Sequence, residues 1–325
     1  MNRRDFLKTT AVMAQTAAIE GLALGGQFTP APCPVTLLPM TGYRQDMERE
    51  IAAVLAADGL GLKGKKVLLK PNFVEAHPER PINTDPAVIA GVAHACLRLG
   101  AAQVTVGEAS GHRRDPWYSV LNPALRSVLD KRVRRLDLNH GDAVAVPNKG
   151  GLTGLPEFFL ARAVAESDVL ISLPKMKTHH WVGVTLSLKN LFGVLPGIYY
   201  GWPKNLLHYR GIERSILDVA RSVKVHYAII DGVVGMEGDG PIMGRAKPVG
   251  VLVLSSYPLA ADATAARLMG FDPLKVPYLA QAGRFLQGLR PQEVVLRGET
   301  PRKYAAAFDC PDEFKTMRGG PFFET

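Results

Sequence analysis

From residue 35 to about residue 300, short apolar runs alternate with longer segments whose apolar positions recur every three or four residues. That alternation of strand and helix predicts an α/β fold, a mostly parallel sheet with helices on both faces. A helix-like stretch at 43–57 precedes the run Val67-Leu68-Leu69, which ends at Lys70-Pro71-Asn72. Asp85-Pro86 reads as an N-cap followed by Pro at the first helical position, opening a helix that Gly100 closes. A strand at 103–106 ends in Gly107-Glu108-Ala109-Ser110-Gly111-His112, and a helix at 116–130 and a strand at 133–138 follow. The run Val169-Leu170-Ile171-Ser172-Leu173 is the clearest buried strand, and Pro174-Lys175-Met176-Lys177-Thr178-His179-His180 comes after it as a polar strand end. Further elements are a helix at 212–223, a strand at 227–230 ending at Asp231-Gly232, a strand at 249–254, and helices at 259–269 and around 278–286. Ligands of open α/β sheets sit outside the carboxyl ends of strands, so the four polar strand ends are expected to converge on one site.

The first residues follow a different pattern. Arg3-Arg4-Asp5-Phe6-Leu7-Lys8 leads into an uncharged stretch at 9–19 rich in Ala and Thr, then Gly25-Gly26 and Pro30, Pro32 and Pro34. A membrane span needs about 20 mostly apolar residues, which this stretch lacks. The paired arginine reads as the receptor-read address of twin-arginine export, a route that carries proteins already folded, with an amphipathic N-terminal helix or an uncleaved signal acting as an anchor as the alternatives. The expectation is a signal peptide at 1–30 and one α/β domain at 31–325. The twin-arginine machinery is then a partner, the location is periplasmic or extracytoplasmic, and the mature part does not span the membrane.

Composition narrows the chemistry. The three cysteines, Cys33, Cys96 and Cys310, lie far apart with no CxxC pair. A cysteine-ligated iron–sulfur cluster needs four thiolates, so this chain alone supplies none, and a thiolate zinc site is excluded on the same count. One disulfide stays open as an alternative to buried free thiols. A net charge of +9 attracts anions. Nucleic acid is not indicated, because Lys63-Lys65-Lys66 and Lys131-Arg132-Arg134-Arg135 lack aromatic interleaving.

Three groups carry candidate chemistry. In 174–197, Lys175, Lys177, Thr178, Lys189 and Asn190 suit a carboxylate or phosphate, and His179 has a side chain suited to proton transfer near neutral pH. In 231–244, five glycines accompany Asp231, Glu237 and Asp239. Gly238 and Gly240 are expected to offer backbone N–H groups to a ligand, and the acids to bind a hard cation or pair with the lysines. The third group joins Lys70 and Asn72 to Glu108, Ser110 and His112, with Glu108 and His112 as an acid/base pair or two metal ligands. Asp262 is either a buried partner for a lysine or a polar first-turn residue. Plain alternatives stand beside these: His179 and His180 as surface residues, Lys189 as a helix-surface charge, the Gly-rich stretch as a mobile turn, His112 as a solvated loop histidine. No Gly-x-Ser-x-Gly elbow, His-Glu-x-x-His helix, phosphate loop or dinucleotide fingerprint is present.

LKPN at 69–72, GEASG at 107–111, LPKMKTH at 173–179, SLKNLFG at 187–193 and MEGDGP at 236–241 together resemble the recurrent motifs of the domain of unknown function 362 family. Many of its members carry iron–sulfur segments, from which this chain departs. A looser resemblance is to the nickel-pincer lactate racemase family. Gly111-His112-Arg113 is similar to that family's histidine turn, and His179 stands ten residues before Lys189. This resemblance implies proton-transfer bases at His112 and His179, a cofactor-bearing Lys189, and His208 as the nearby candidate for the nickel. Ser187-Leu188 replaces the family's Gly-Gly.

The resulting expectation is an exported enzyme acting on a small anionic substrate by His-mediated proton transfer. His112, His179 and Lys189 form its catalytic set. Lys70, Asn72, Lys175, Lys177, Thr178, Asn190, Gly238 and Gly240 hold substrate, and Glu108, Glu237 and Asp239 hold a possible divalent metal. The alternative is a non-catalytic periplasmic accessory protein that binds a metal or ligand.

Overall fold

Ten hydrogen-bonded strands form one mixed, mostly parallel sheet in a computed structural model that describes residues 32–323, apart from 45, 76, 78, 113, 114 and 321. The expected signal at 1–30 lies outside the described residues. In chain order the strands begin with β1 (Cys33–Pro39), β2 (Lys66–Pro71), β3 (Gln103–Glu108), β4 (Arg134–Asp137), β5 (Ala143–Pro147) and β6 (Glu157–Ala161). They continue with β7 (Val169–Leu173), β8 (Lys175–His179), β9 (Gly183–Thr185), β10 (Tyr227–Glu237), β11 (Arg245–Ser255) and β12 (Val294–Gly298). The main sheet runs β12-β1-β11-β10-β7-β2-β3-β4, with β8 and β9 attached beside β10 and the hairpin β5-β6 separate. Pairs from β10 through β7, β2 and β3 to β4 are parallel, whereas β11 is antiparallel to both its neighbours.

The central strands are mostly apolar because both faces are covered, with Lys70, Ser172 and Asp231 among the buried polar exceptions. Alternate residues point to opposite faces of a strand. Val67 and Leu69 of β2 therefore join one core, with Ile51, Ile89 and Val92 from the helices Glu48–Ala57 and Pro86–Arg98. Leu68 joins the other, with Ile216, Leu259 and Leu279 from the helices Ile212–Ser222, Pro258–Leu268 and Pro277–Ala282. Asp85 caps its helix by accepting the Ala87 N–H at 2.8 Å, and Gly100 follows the helix end with φ +83°.

Several boundaries differ from the sequence expectation. The first helix begins at Glu48 rather than 43. The stretch 116–130 breaks into a 3-10 turn, Pro116–Tyr118, and a helix, Pro123–Val128. Pro123 has no N–H to continue a helix, and Asn122 restarts one by accepting the Ala124 N–H at 2.8 Å. The strand expected to end at Asp231-Gly232 runs on to Glu237, because β11 pairs with it along that length, with an irregularity between Gly232 and Val234. That extension offers an edge on which Lys175–His179 forms β8, in place of the expected polar loop. Cys33, Cys96 and Cys310 are all buried and free. Among the described residues no helix is long and apolar enough to cross a membrane.

Candidate functional site

A pocket of about 270 Å3 opens where the carboxyl ends of β2 and β3 meet β8 and the short helix Ser187–Asn190. β2 brings Lys70 and Asn72, the end of β3 brings Glu108 and His112, and β8 brings Lys177 and His179. The short helix contributes Lys189 and Asn190, while Trp181 and Phe192 form much of the apolar wall. His180, Thr185, Lys204 and His208 complete its polar lining.

Counting hydrogen-bond donors separates these lysines, since an ammonium has three protons to place. Lys70 Nζ bonds Glu108 Oε2 at 2.5 Å, the Pro71 carbonyl at 2.5 Å and Asn190 Oδ1 at 2.8 Å, so all three are committed inside the protein. Asn190 is equally engaged, its amide donating to the Lys70 carbonyl at 2.9 Å and to Ser172 Oγ at 3.1 Å. Lys177 Nζ bonds two carbonyls, Ile82 at 2.8 Å and Pro241 at 3.3 Å, which leaves one proton. Lys204 Nζ bonds Asn139 Oδ1 at 3.0 Å and keeps two. Lys189 has no hydrogen-bond or ion-pair partner among the described residues, and its ammonium sits 3.8 Å from the centre of the Phe192 ring. Asn72 Oδ1 and Thr185 Oγ1, on two other lining residues, are also buried without partners among the described residues.

Burial sets the electrostatics. It lowers Lys189 to about 7, helped by the nearby Lys70 charge, and Lys204 to about 8. Lys177 falls well below its ordinary range by burial among Lys175, Lys189 and Lys70. His179 is pushed well below 6.5, and His208 down to about 4, first by burial and then by Lys189. Burial raises Glu108, which Lys70 partly offsets. The wall thus concentrates polar groups for which water is a poor competitor, beside an amine with no counter-ion.

Not every expected site residue reaches this pocket. Lys175 is buried and paired with Asp231 at 2.5 Å, and its ammonium also bonds the Tyr43 hydroxyl at 2.8 Å. Thr178 donates to the Gly238 carbonyl at 2.8 Å. The N–H groups of Gly238 and Gly240 are already bonded, to Asp309 O and Gly238 O, each at 2.9 Å. A Cβ at Gly240 would collide with the Thr178 carbonyl, so that glycine serves close packing. Glu237 pairs with Arg245 at 3.0 Å and Lys247 at 3.3 Å, and Asp239 lies 3.2 Å from His180 Nδ1. Glu108, Glu237 and Asp239 therefore answer to separate partners, and among the described residues no three His, Cys, Asp or Glu gather as a metal site. Asp262 accepts the backbone N–H groups of Ser187 at 2.7 Å and Leu188 at 2.9 Å rather than a lysine. Ser110 is buried, its hydroxyl without a partner among the described residues, and does not line the pocket.

Trp181, Phe192 and Lys204 were not singled out by the sequence, and His208 entered only through a resemblance. Lys204 follows Trp202-Pro203 in a segment without clear periodicity. It adopts a left-handed conformation, φ +71°, just before the short helix Asn205–Tyr209 that carries His208, a placement no local pattern announces.

The family model described as domain of unknown function (DUF362) matches residues 67–267, a span that contains every residue lining the pocket. A thylakoid-associated protein of Synechocystis sp. is 29% identical over 242 residues, covering 70% of each chain. Among solved structures, the lactate racemase apoprotein from Thermoanaerobacterium thermosaccharolyticum aligns with a TM-score of 0.46 and 12% identity, covering 72% of this chain and 57% of the racemase chain.

Proposed function

The chain belongs to the domain of unknown function (DUF362) family, and from that premise we propose that it is an enzyme that binds a small anionic substrate and moves a proton on it. The observation that carries this reading is Lys189, an amine without a carboxylate ion-pair partner among the described residues, in a pocket it shares with the imidazoles of His112, His179 and His208. An anion there gains Lys189 first, then the uncommitted protons of Lys204. The aromatic wall keeps competing water away and strengthens each contact. Lys70, Asn190 and Glu108 hold the floor of the pocket rather than the ligand.

The test is calorimetric titration of the protein with small carboxylates and organic phosphates, followed by incubation of the ligand that binds in deuterium oxide. Binding that Lys189→Ala abolishes, together with deuterium entering the ligand, supports an enzyme. Binding without exchange or turnover means an accessory binding protein, and no binding by any anion sinks the reading. Although Ser187-Leu188 departs from that family's Gly-Gly, the resemblance to the nickel-pincer racemases would make Lys189 the attachment point of such a cofactor. A mass added to that residue in protein from its own host extends the reading to cofactor chemistry, and a bare polypeptide confines it to the side chains.

We further propose that the protein is exported by the twin-arginine route, on the strength of Arg3-Arg4 and the weakly apolar stretch behind them.

A further inference from the structure

The pocket's two most enclosed imidazoles are anchored in opposite senses. His179 Nδ1 lies 3.1 Å from the backbone N–H of Trp181, which is a donor, so this nitrogen accepts and carries no proton. His208 Nδ1 lies 3.0 Å from the carbonyl oxygen of Lys204, which only accepts, so here the same nitrogen carries the proton. A neutral imidazole has one donor and one acceptor nitrogen. His179 must therefore hold its proton on Nε2, and His208 must leave Nε2 bare. Both rings line the pocket, and neither Nε2 has a hydrogen-bond partner among the described residues.

Their surroundings favour the neutral forms. The groups that face His179 are Lys189, His180, Lys177 and His208, and those that face His208 are Lys189 and His112. All are cationic when protonated, and no carboxylate of the described residues is among these facing groups at either ring. Sequence spacing offers no hint of this difference, because the tautomer of a histidine is set by the partner of its other nitrogen.

We propose that His208, through Nε2, is the proton acceptor of this pocket, and that His179, through Nε2–H, is the hydrogen-bond donor to an oxygen of the bound ligand. The inference rests on reading the pocket as an anion site, and it replaces the expectation that His112 and His179 are the two bases. It also narrows the ligand to an anion that carries, besides its charged oxygens, a second group with a transferable proton. In the step it describes, an N–H bond forms at His208 Nε2 as the ligand's X–H bond breaks, and the electron pair stays on the ligand. The ligand's negative charge beside Lys189 favours the imidazolium that results.

Nitrogen-15 NMR of the full chain labelled at histidine tests the assignment near neutral pH, with inorganic phosphate as the probe. His179→Asn and His208→Asn identify which signals belong to which ring. An asparagine oxygen near the former Nδ1 still accepts from Trp181, and an asparagine amide near it still donates to the Lys204 carbonyl, so both variants retain the anchoring bond. The expected spectrum of the free protein has Nε2 protonated in His179 and Nδ1 protonated in His208. Added hydrogenphosphate, which both accepts and donates, should shift the His179 Nε2–H proton and the His208 Nε2 nitrogen, with neither Nδ1 changing its protonation. One shared tautomer, or an imidazolium at either ring in the free protein, overturns the assignment and leaves the anion pocket standing. Opposite tautomers with no anion bound by calorimetry overturn the proposed roles through failure of the pocket reading instead.

Discussion

Lys70 and Lys189 line the same pocket with opposite energetics. Lys70 is buried with all three protons bonded, and its loss strands the Glu108 carboxylate away from water. Removing one partner of a buried ion pair costs about 3–5 kcal/mol. Lys70→Met should therefore lower the urea-unfolding free energy by that order, and a loss under about 1 kcal/mol would show that Glu108 takes a proton and needs no partner. Lys189 has no polar partner to strand among the described residues. Its folded value near 7 lies below the ordinary 10.5 of an unfolded lysine. Below about pH 7 both states are protonated and the penalty of burying the charge is fully present. Between about 7 and 10.5 the unfolded chain binds more protons, so stability rises with pH. Lys189→Met should consequently gain most over the wild type at pH 6 and least at pH 10, in urea melts at both values. A difference that does not change with pH would mean that Lys189 keeps an ordinary proton affinity.

Short elements, more than long ones, build the site. Ser187–Asn190 is only four residues long, and Asp262 from the helix Pro258–Leu268 fixes its start by accepting two backbone N–H groups. Asp262→Ala leaves both donors buried without a partner, at about 1–3 kcal/mol each. We expect a loss of about 3 kcal/mol in urea unfolding together with weakened anion binding, because Lys189 rides on that turn. Asp262→Asn, which retains one acceptor, should recover part of both, and full stability of the alanine variant would refute the capping role. Gly193 sets a second limit. A Cβ there would collide with Glu108 Oε1 and the end of Lys70, so Gly193→Ala should break the floor of the pocket, read as a fall in melting temperature well beyond that of Gly111→Ala, whose Cβ meets only Pro203 at ordinary contact distance.

These elements also mark how far the sequence can be read. The runs 67–69, 169–173 and 249–254 and the Asp85-Pro86 cap were legible because continuous apolar stretches and caps are local signals. Lys175–His179 was not, since its lysines read as ligand-binding groups of a polar strand end while β10 buries them as a strand. Local pattern likewise placed Lys70, Asn72, Glu108, His112, Lys177, His179 and Lys189 near strand ends, and all of them line the pocket. It offered pairing of the 231–244 acids with the lysines as one of two readings, which Lys175 and Asp231 satisfy, but it could not choose that pair or say that Lys70 spends its protons internally, because those partners lie 56 and 38 residues away in the chain.

At the scale of the whole molecule, the fold and the proposed export route make compatible demands. Cys33, Cys96 and Cys310 are buried and free, and burial raises each thiol, which makes them poor nucleophiles. The two cores that cover the sheet are built from aliphatic and aromatic side chains, not from cross-links. Such a chain has no need of an oxidising compartment in order to fold, which suits a route that carries folded proteins. Replacing Arg3 and Arg4 with Lys should therefore leave the protein in the cytoplasm of its host, folded and with an unchanged melting temperature, in the presence or absence of a thiol reductant. Fractionation and thermal melts of the retained and exported forms check this. Undiminished export of the double-Lys variant would refute the twin-arginine assignment, and a reductant-sensitive melt would mean that the exported form acquires a disulfide from cysteines that are free in this fold.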